Sequence, residues 1–187
     1  MAGSFGIPSS RVAWGARQTL ATGKLMAMGH IEAPAVVAVG QPAPEITLET
    51  EAGPLSLASF RGRILVLYFY PRDMTPGCTN EACDFRDAYG EFQRLGATVV
   101  GVSPDTLESH ARFVAKHQLP FVLASDPEGV AAQAFGAWKE KTLYGKKTMG
   151  VERSTFVIDR EGIVRGIFRR VKVPGHVMAV LDLVRRL

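Results

Sequence analysis

Arg63–Pro71, RILVLYFYP, is an unbroken apolar and β-branched run bounded by breakers. A run of this length and composition predicts a strand buried on both faces. Ala97–Asp105 (ATVVGVSPD) and Pro120–Asp126 (PFVLASD) repeat the pattern. Between these strands the apolar positions fall at helical spacing, from the residues after Pro71 to about Leu95 and again over Thr106–His117. Gly129–Phe135 reads as a short helix. Ser154–Phe168 reads as strand, turn, strand, with the turn at Asp159–Gly162, and His176–Leu187 as a closing amphipathic helix. Upstream, Glu45–Leu48 and Pro54–Leu57 flank an acidic-Gly turn and predict a short hairpin. Strands alternating with helices, then a hairpin and a helix, predict an α/β sheet with helices on both faces. In open α/β sheets the reactive residues gather at the carboxyl ends of the strands.

Composition narrows this picture only slightly. The 187 residues are 47% hydrophobic and 21% charged, with a net charge of +4. No basic run is interleaved with aromatics, so nothing points to nucleic acid. Residues 1–39 differ from the rest. They are rich in Gly, Ala and Ser and carry Arg11, Arg17 and Lys24, with no acid before Glu32. That resembles a presequence in composition. Its apolar runs, however, are broken by Lys24, His30, Glu32 and Pro34, which fits neither a signal segment nor a membrane span. The expectation is a flexible extension over 1–39, or a true start at Met26 or Met28, followed by one domain over 40–187 in a cytoplasmic protein.

The candidate chemistry lies in PRDMTPGCTNEACDF, Pro71–Phe85, which holds both cysteines of the chain, Cys78 and Cys83. The spacing is too wide for a C-x-x-C redox pair and lacks the further ligands of a zinc site. Two cysteines cannot staple a fold of this size, so a disulfide here would be chemistry and not scaffold. Pro76 and Gly77 precede the helical pattern and place Cys78 in its first turn. There a thiolate faces unpaired N–H groups and the positive end of the helix dipole. At about 100° per residue, Cys78 shares the apolar stripe with Ala82, Phe85, Tyr89 and Phe92, while Cys83 points away among Asp87, Gly90 and Arg94. In a helix the two Cα atoms lie about 8.6 Å apart, beyond the ~7 Å that a disulfide tolerates. Bonding therefore requires the first turns to unwind. Asn80, Asp84, Asp87 and Gly90 are poor helix residues and favour this. Glu81 reads as a first-turn helix residue and not as a base. His110 and His117 share one predicted helix and read as solvated surface residues, not metal ligands.

Pro71–Cys78 matches the P-x-x-x-T-x-x-C motif of the peroxiredoxins. Cys78–Asp87 and Tyr144–Asp159 (YGKKTMGVERSTFVID) resemble the Q-type, or bacterioferritin comigratory protein, group. The resemblance covers roughly 40–187. It implies a thioredoxin-like fold, a central mixed β-sheet flanked by helices, and reduction of hydrogen peroxide and organic hydroperoxides. By position, Cys78 matches the peroxidatic cysteine, Thr75 the motif threonine, Pro71 the proline that shields the sulfur, and Arg153 the family's arginine. Cys83 matches the resolving cysteine of the subgroup that forms an intramolecular disulfide. The resemblance also implies a monomer, re-reduction by thioredoxin or a glutaredoxin-like protein, and no flavin, heme or metal. Two other readings compete: a thiol–disulfide oxidoreductase, and a holdase-type binding protein that exposes Phe85, Tyr89 and Phe92 on oxidation.

Overall fold

The computed structural model describes residues 37–187 apart from 144 and 145, with the side chains of 141–146 also left aside. The expectations for residues 1–36 lie outside the described residues.

The central sheet has seven strands: β1 (Thr47–Thr50), β2 (Gly53–Ser56), β3 (Ile64–Phe69), β4 (Ala97–Ser103), β5 (Val122–Ser125), β8 (Ser154–Ile158) and β9 (Val164–Arg169). Their order across the sheet is β2-β1-β5-β4-β3-β8-β9. β3, β4 and β5 pair parallel to one another, while each further pair outward, β3–β8 and β8–β9 on one side and β5–β1 and β1–β2 on the other, is antiparallel. The sheet is therefore mixed and the fold thioredoxin-like. The remaining strands, β6 (Trp138–Leu143) and β7 (Lys146–Val151), form a separate two-stranded ribbon. The helices are α1 (Pro76–Arg94), α2 (Leu107–His117), α3 (Val130–Ala134) and α4 (His176–Val184).

β3 is buried at every position, and its pleat divides the core in two. Ile64, Val66 and Tyr68 pack with α1, α4 and Phe113 of α2; Leu65, Leu67 and Phe69 pack on the other face with Ala131, Ala132 and Phe135. This is why an alternating pattern is absent from that strand: both faces are apolar. Close packing also fixes Gly101 of β4, where any Cβ would stand 2.7 Å from the Tyr68 ring.

The expected first hairpin is present, its strands shifted by one or two residues so that Thr47 pairs with Ser56. Glu49 and Thr50 pair with Ser125 and Ala124, which joins the hairpin to the edge of the main sheet. The β6–β7 ribbon was not foreseen. Its segments, WKEKTL and KKTMGV, are charged and show no apolar alternation, so period gives no signal there. Residues 144 and 145 of the YGKKTMG motif fall outside the described residues.

Candidate active site

Topology brings the site together at one sheet edge. β8 runs antiparallel to β3, with Phe69 opposite Ser154. The start of β8 therefore lies beside the end of β3, and Arg153, just before β8, meets the first two turns of α1. Thr75 occupies the N-cap of α1 and Pro76 its first turn, and no side chain caps the helix. The amide end of the helix is thereby left for Cys78. Cys78 is buried, with 2% of its surface exposed, on the same face as Ala82, Phe85 and Phe92. Both cysteines are free thiols, and Cys83 is only half-buried.

Arg153 Nη2 donates to Cys78 Sγ at 3.1 Å. Its Nη1 donates to Glu81 Oε2. One guanidinium thus serves two acceptors from adjacent turns of α1, as its planar fork permits. Gly77 lies against the same guanidinium, where a Cβ would be in ordinary contact with Nη2 at 3.4 Å. Burial opposes the Arg153 charge, but Glu81 and then Cys78 outweigh it and push the guanidinium above its ordinary value.

Glu81 lies in the helix as expected, but it is fully buried. Desolvation lifts its carboxyl from 4.5 to about 7, against the lowering effect of Arg153. Its Oε1 has no hydrogen-bond partner among the described residues, and His176 Nε2 stands 4.0 Å from it. His176 in turn bonds Thr155 Oγ1 at 2.8 Å. Burial, and then Arg153, hold His176 down at about 4, so it is neutral at physiological pH.

The loop before α1 is clamped from below. Asp73 accepts from Tyr70 Oη at 2.7 Å and Ser109 Oγ at 2.8 Å, and pairs with His110 Nδ1 at 2.9 Å. Its backbone N–H donates to Asp105 Oδ2 at 2.8 Å. Burial alone would raise the Asp73 carboxyl; the bonds from His110, Tyr70 and Ser109 outweigh it and lower it. His110, expected on the surface, is 3% exposed and reaches the Ala124 carbonyl with its other nitrogen at 3.2 Å. Helical spacing does not reveal whether a histidine faces water or a buried carboxylate 37 residues away.

Of the residues expected from sequence, Cys78 and Arg153 are in direct contact. Thr75 lies at the helix start with its hydroxyl on the Arg72 carbonyl at 3.0 Å. Pro71 is half-buried where β3 gives way to the loop. Cys83 lies on the same helix, turned toward α2. The sequence names Glu81 only as a helix residue and His110 only as a surface residue, and gives no role to Asp73 or His176; all four are buried here. The only local signal was Asp73 inside the motif itself.

A buried thiol at an uncapped helix start, gripped by an arginine on a thioredoxin-like sheet, defines a cysteine-based redox enzyme. The chain belongs to the AhpC/TSA family, whose model matches residues 39–167, and within it to the Q-type peroxiredoxins. Peroxiredoxin Bcp of Bacillus subtilis is 50% identical over 147 residues, covering 78% of this chain and 94% of that protein. Peroxiredoxin Bcp of Xanthomonas campestris is 48% identical over 126 residues, covering 67% and 79%. The solved structure of the bacterioferritin comigratory protein of Xanthomonas campestris, studied for alkyl peroxide reduction, superposes with a TM-score of 0.75 at 42% identity, over 81% of this chain and 97% of that one. The protein is accordingly a thiol-dependent peroxidase that acts on a hydroperoxide and draws on a separate reductant. No helix among the described residues is long and apolar enough to cross a membrane.

Proposed function

We propose that Cys78 is the peroxidatic nucleophile and Cys83 the resolving thiol of a monomeric, thioredoxin-recycled peroxidase. The observation that carries the reading is the 3.1 Å bond from Arg153 to the Cys78 sulfur at the start of α1. The Cys78 thiolate attacks one peroxide oxygen. The S–O bond forms as the O–O bond breaks, leaving a sulfenic acid and an alkoxide or hydroxide that takes up a proton. Arg153 stabilises the thiolate and the charge that moves onto the leaving oxygen. Thr75 orients the incoming peroxide and Pro71 keeps water from the sulfur. Cys83 then displaces water from the sulfenic acid to give a disulfide within one chain. Thioredoxin, or a glutaredoxin-like protein, reduces that disulfide by thiol exchange. Residues 40–187 form the catalytic domain. We place the protein in the cytoplasm, where thiols are kept reduced.

The test is peroxide consumption coupled to thioredoxin, its reductase and a nicotinamide donor. The wild type should turn over with hydrogen peroxide and with an alkyl hydroperoxide. Cys78→Ser should lose turnover altogether, since serine offers no thiolate. Substantial residual thioredoxin-dependent activity in that variant overturns the nucleophile. A disulfide between subunits in the oxidised wild type overturns the monomeric resolution.

A further inference from the structure

We propose that His117 is a further catalytic residue of this enzyme, the base that takes the proton from Cys83 in the resolving step. The proposal rests on the assignment of Cys83 made above.

Cys83 Sγ faces His117 Nδ1 at 4.0 Å. The two residues are 34 positions apart, one in the second turn of α1 and the other at the last position of α2. A second bond fixes the approach. Arg86 Nη1 donates to the His117 backbone carbonyl at 2.9 Å, and the Phe113 ring lies edge-on to the imidazole at 5.2 Å. Among the described residues, the titratable and charged groups recorded near His117 are Cys83 on the ring, Arg86 on its carbonyl and paired with Asp87 at 2.8 Å, and Lys116, the preceding residue of α2.

The chemistry calls for such a base. Disulfide formation needs a thiolate as nucleophile, and an ordinary cysteine thiol, with a pKa of about 8.5, is mostly protonated at neutral pH. Cys78 lies at the helix start beside Arg153; Cys83, a turn further on, faces α2, where Arg86 is a nearby cation and His117 the base within reach. Imidazole is the side chain whose ordinary pKa suits proton transfer near neutrality. The Cys83 proton passes to His117 Nδ1, and the thiolate attacks the Cys78 sulfur. The S–S bond forms as the S–O bond breaks. The departing hydroxide takes a proton from the imidazolium and leaves as water. The sulfenic acid is itself the oxidant, so no further one is needed. In the wound helix the Arg86 link to α2 sets Cys83 beside the imidazole, so the proton can leave Cys83 before α1 opens and brings Cys78 to it. Contacts of this kind lengthen in the resting enzyme and tighten in the reacting state.

Single-turnover experiments on the full chain test this. Reduced wild type, His117→Gln and His117→Ala are mixed with one equivalent of hydrogen peroxide. Sulfenic acid is followed by trapping with a cyclic 1,3-dione and the disulfide by mass. At pH 6.5 both variants should form disulfide at least about tenfold more slowly than wild type. The gap should close toward pH 9, where a thiol ionises unaided. Trapped sulfenic acid should rise accordingly. Arg86 bonds a backbone atom and is untouched by either substitution. As a measurement independent of turnover, alkylation of Cys83 in Cys78→Ser at pH 6.5 should slow when His117→Gln is added. Disulfide formation at the wild-type rate overturns the proposal, and so does a slowing that is equal at every pH, which would mark a structural role only. Absence of the Cys78–Cys83 disulfide in the wild type overturns the Cys83 assignment itself and is told apart by needing no variant.

Discussion

At the scale of the residue, Arg153 holds two acceptors with one charge, and its removal separates their contributions. Arg153→Ala takes a cation from the Cys78 sulfur and leaves Glu81 buried without a counter-ion. The loss of a preorganised donor at a reacting centre costs on the order of 3–4 kcal/mol of barrier, so peroxide attack should slow by roughly 10²–10³-fold at pH 7. The stability cost should be smaller than a broken buried pair normally carries, about 3–5 kcal/mol. Glu81, already lifted to about 7, can take a proton and stay buried as the neutral acid. Rapid-mixing kinetics and denaturant titration check the two halves separately. A normal rate of peroxide attack would reduce Arg153 to a structural partner of Glu81.

At the scale of the element, α1 carries Cys78, Glu81 and Cys83 within its first two turns. The helix is continuous over Pro76–Arg94, which keeps the two cysteines too far apart to bond. Oxidation should therefore raise amide exchange over about Thr79–Tyr89 relative to the reduced protein. Unwinding also carries Glu81 from its buried site into water. Its carboxyl binds a proton more tightly in the wound helix, at about 7, than in solvent, near 4.5. The protonated carboxyl stabilises the wound form fully below about 4.5, and this contribution is lost as pH rises through about 7. At 1.36 kcal/mol per pKa unit the effect is on the order of 3 kcal/mol. Opening of α1 in the reduced protein should become easier between pH 5 and 7.5. Glu81→Gln should flatten that dependence after the ordinary pH effect on exchange is removed. Identical profiles in wild type and variant would count against a proton-linked helix.

At the scale of the whole molecule, His176 joins α4 to β8 through Thr155 and acts in the opposite sense. Burial and Arg153 depress it from 6.5 to about 4, so the unfolded chain binds its proton first. Its contribution is present above about 6.5 and is lost as pH falls through about 4. Glu81 offsets this for global unfolding over part of the range. The effect should therefore be clearest in a Glu81→Gln background. There, urea denaturation should show less loss of stability from pH 7 to pH 4 when His176→Asn is added. Equal losses with and without that substitution would mean His176 does not govern acid stability.

The sequence by itself determined the buried strands, the helix that follows the Thr-Pro-Gly turn, and the face on which Cys78 sits. Those depend on local period and breaker residues, which the chain carries within ten or fifteen positions. Family resemblance singles out Pro71, Thr75 and Cys78 through the motif, and Cys83 and Arg153 through the stretches Cys78–Asp87 and Tyr144–Asp159. Only the tertiary structure decided what surrounds them. Glu81 is an ordinary helix acid until β8 brings Arg153 across and α4 closes over it. His110 is an ordinary helical histidine until the loop delivers Asp73. The charged β6–β7 ribbon has no period to read, because its pairing is made between strands and not along them. Burial, charge pairing and proton affinity come from residues far along the chain, 37 positions for Asp73 and His110 and 72 for Glu81 and Arg153, brought close by the fold. A local pattern holds no record of that neighbourhood, and that is the physical reason the helix face carrying Cys78 was legible while its electrostatic surroundings were not.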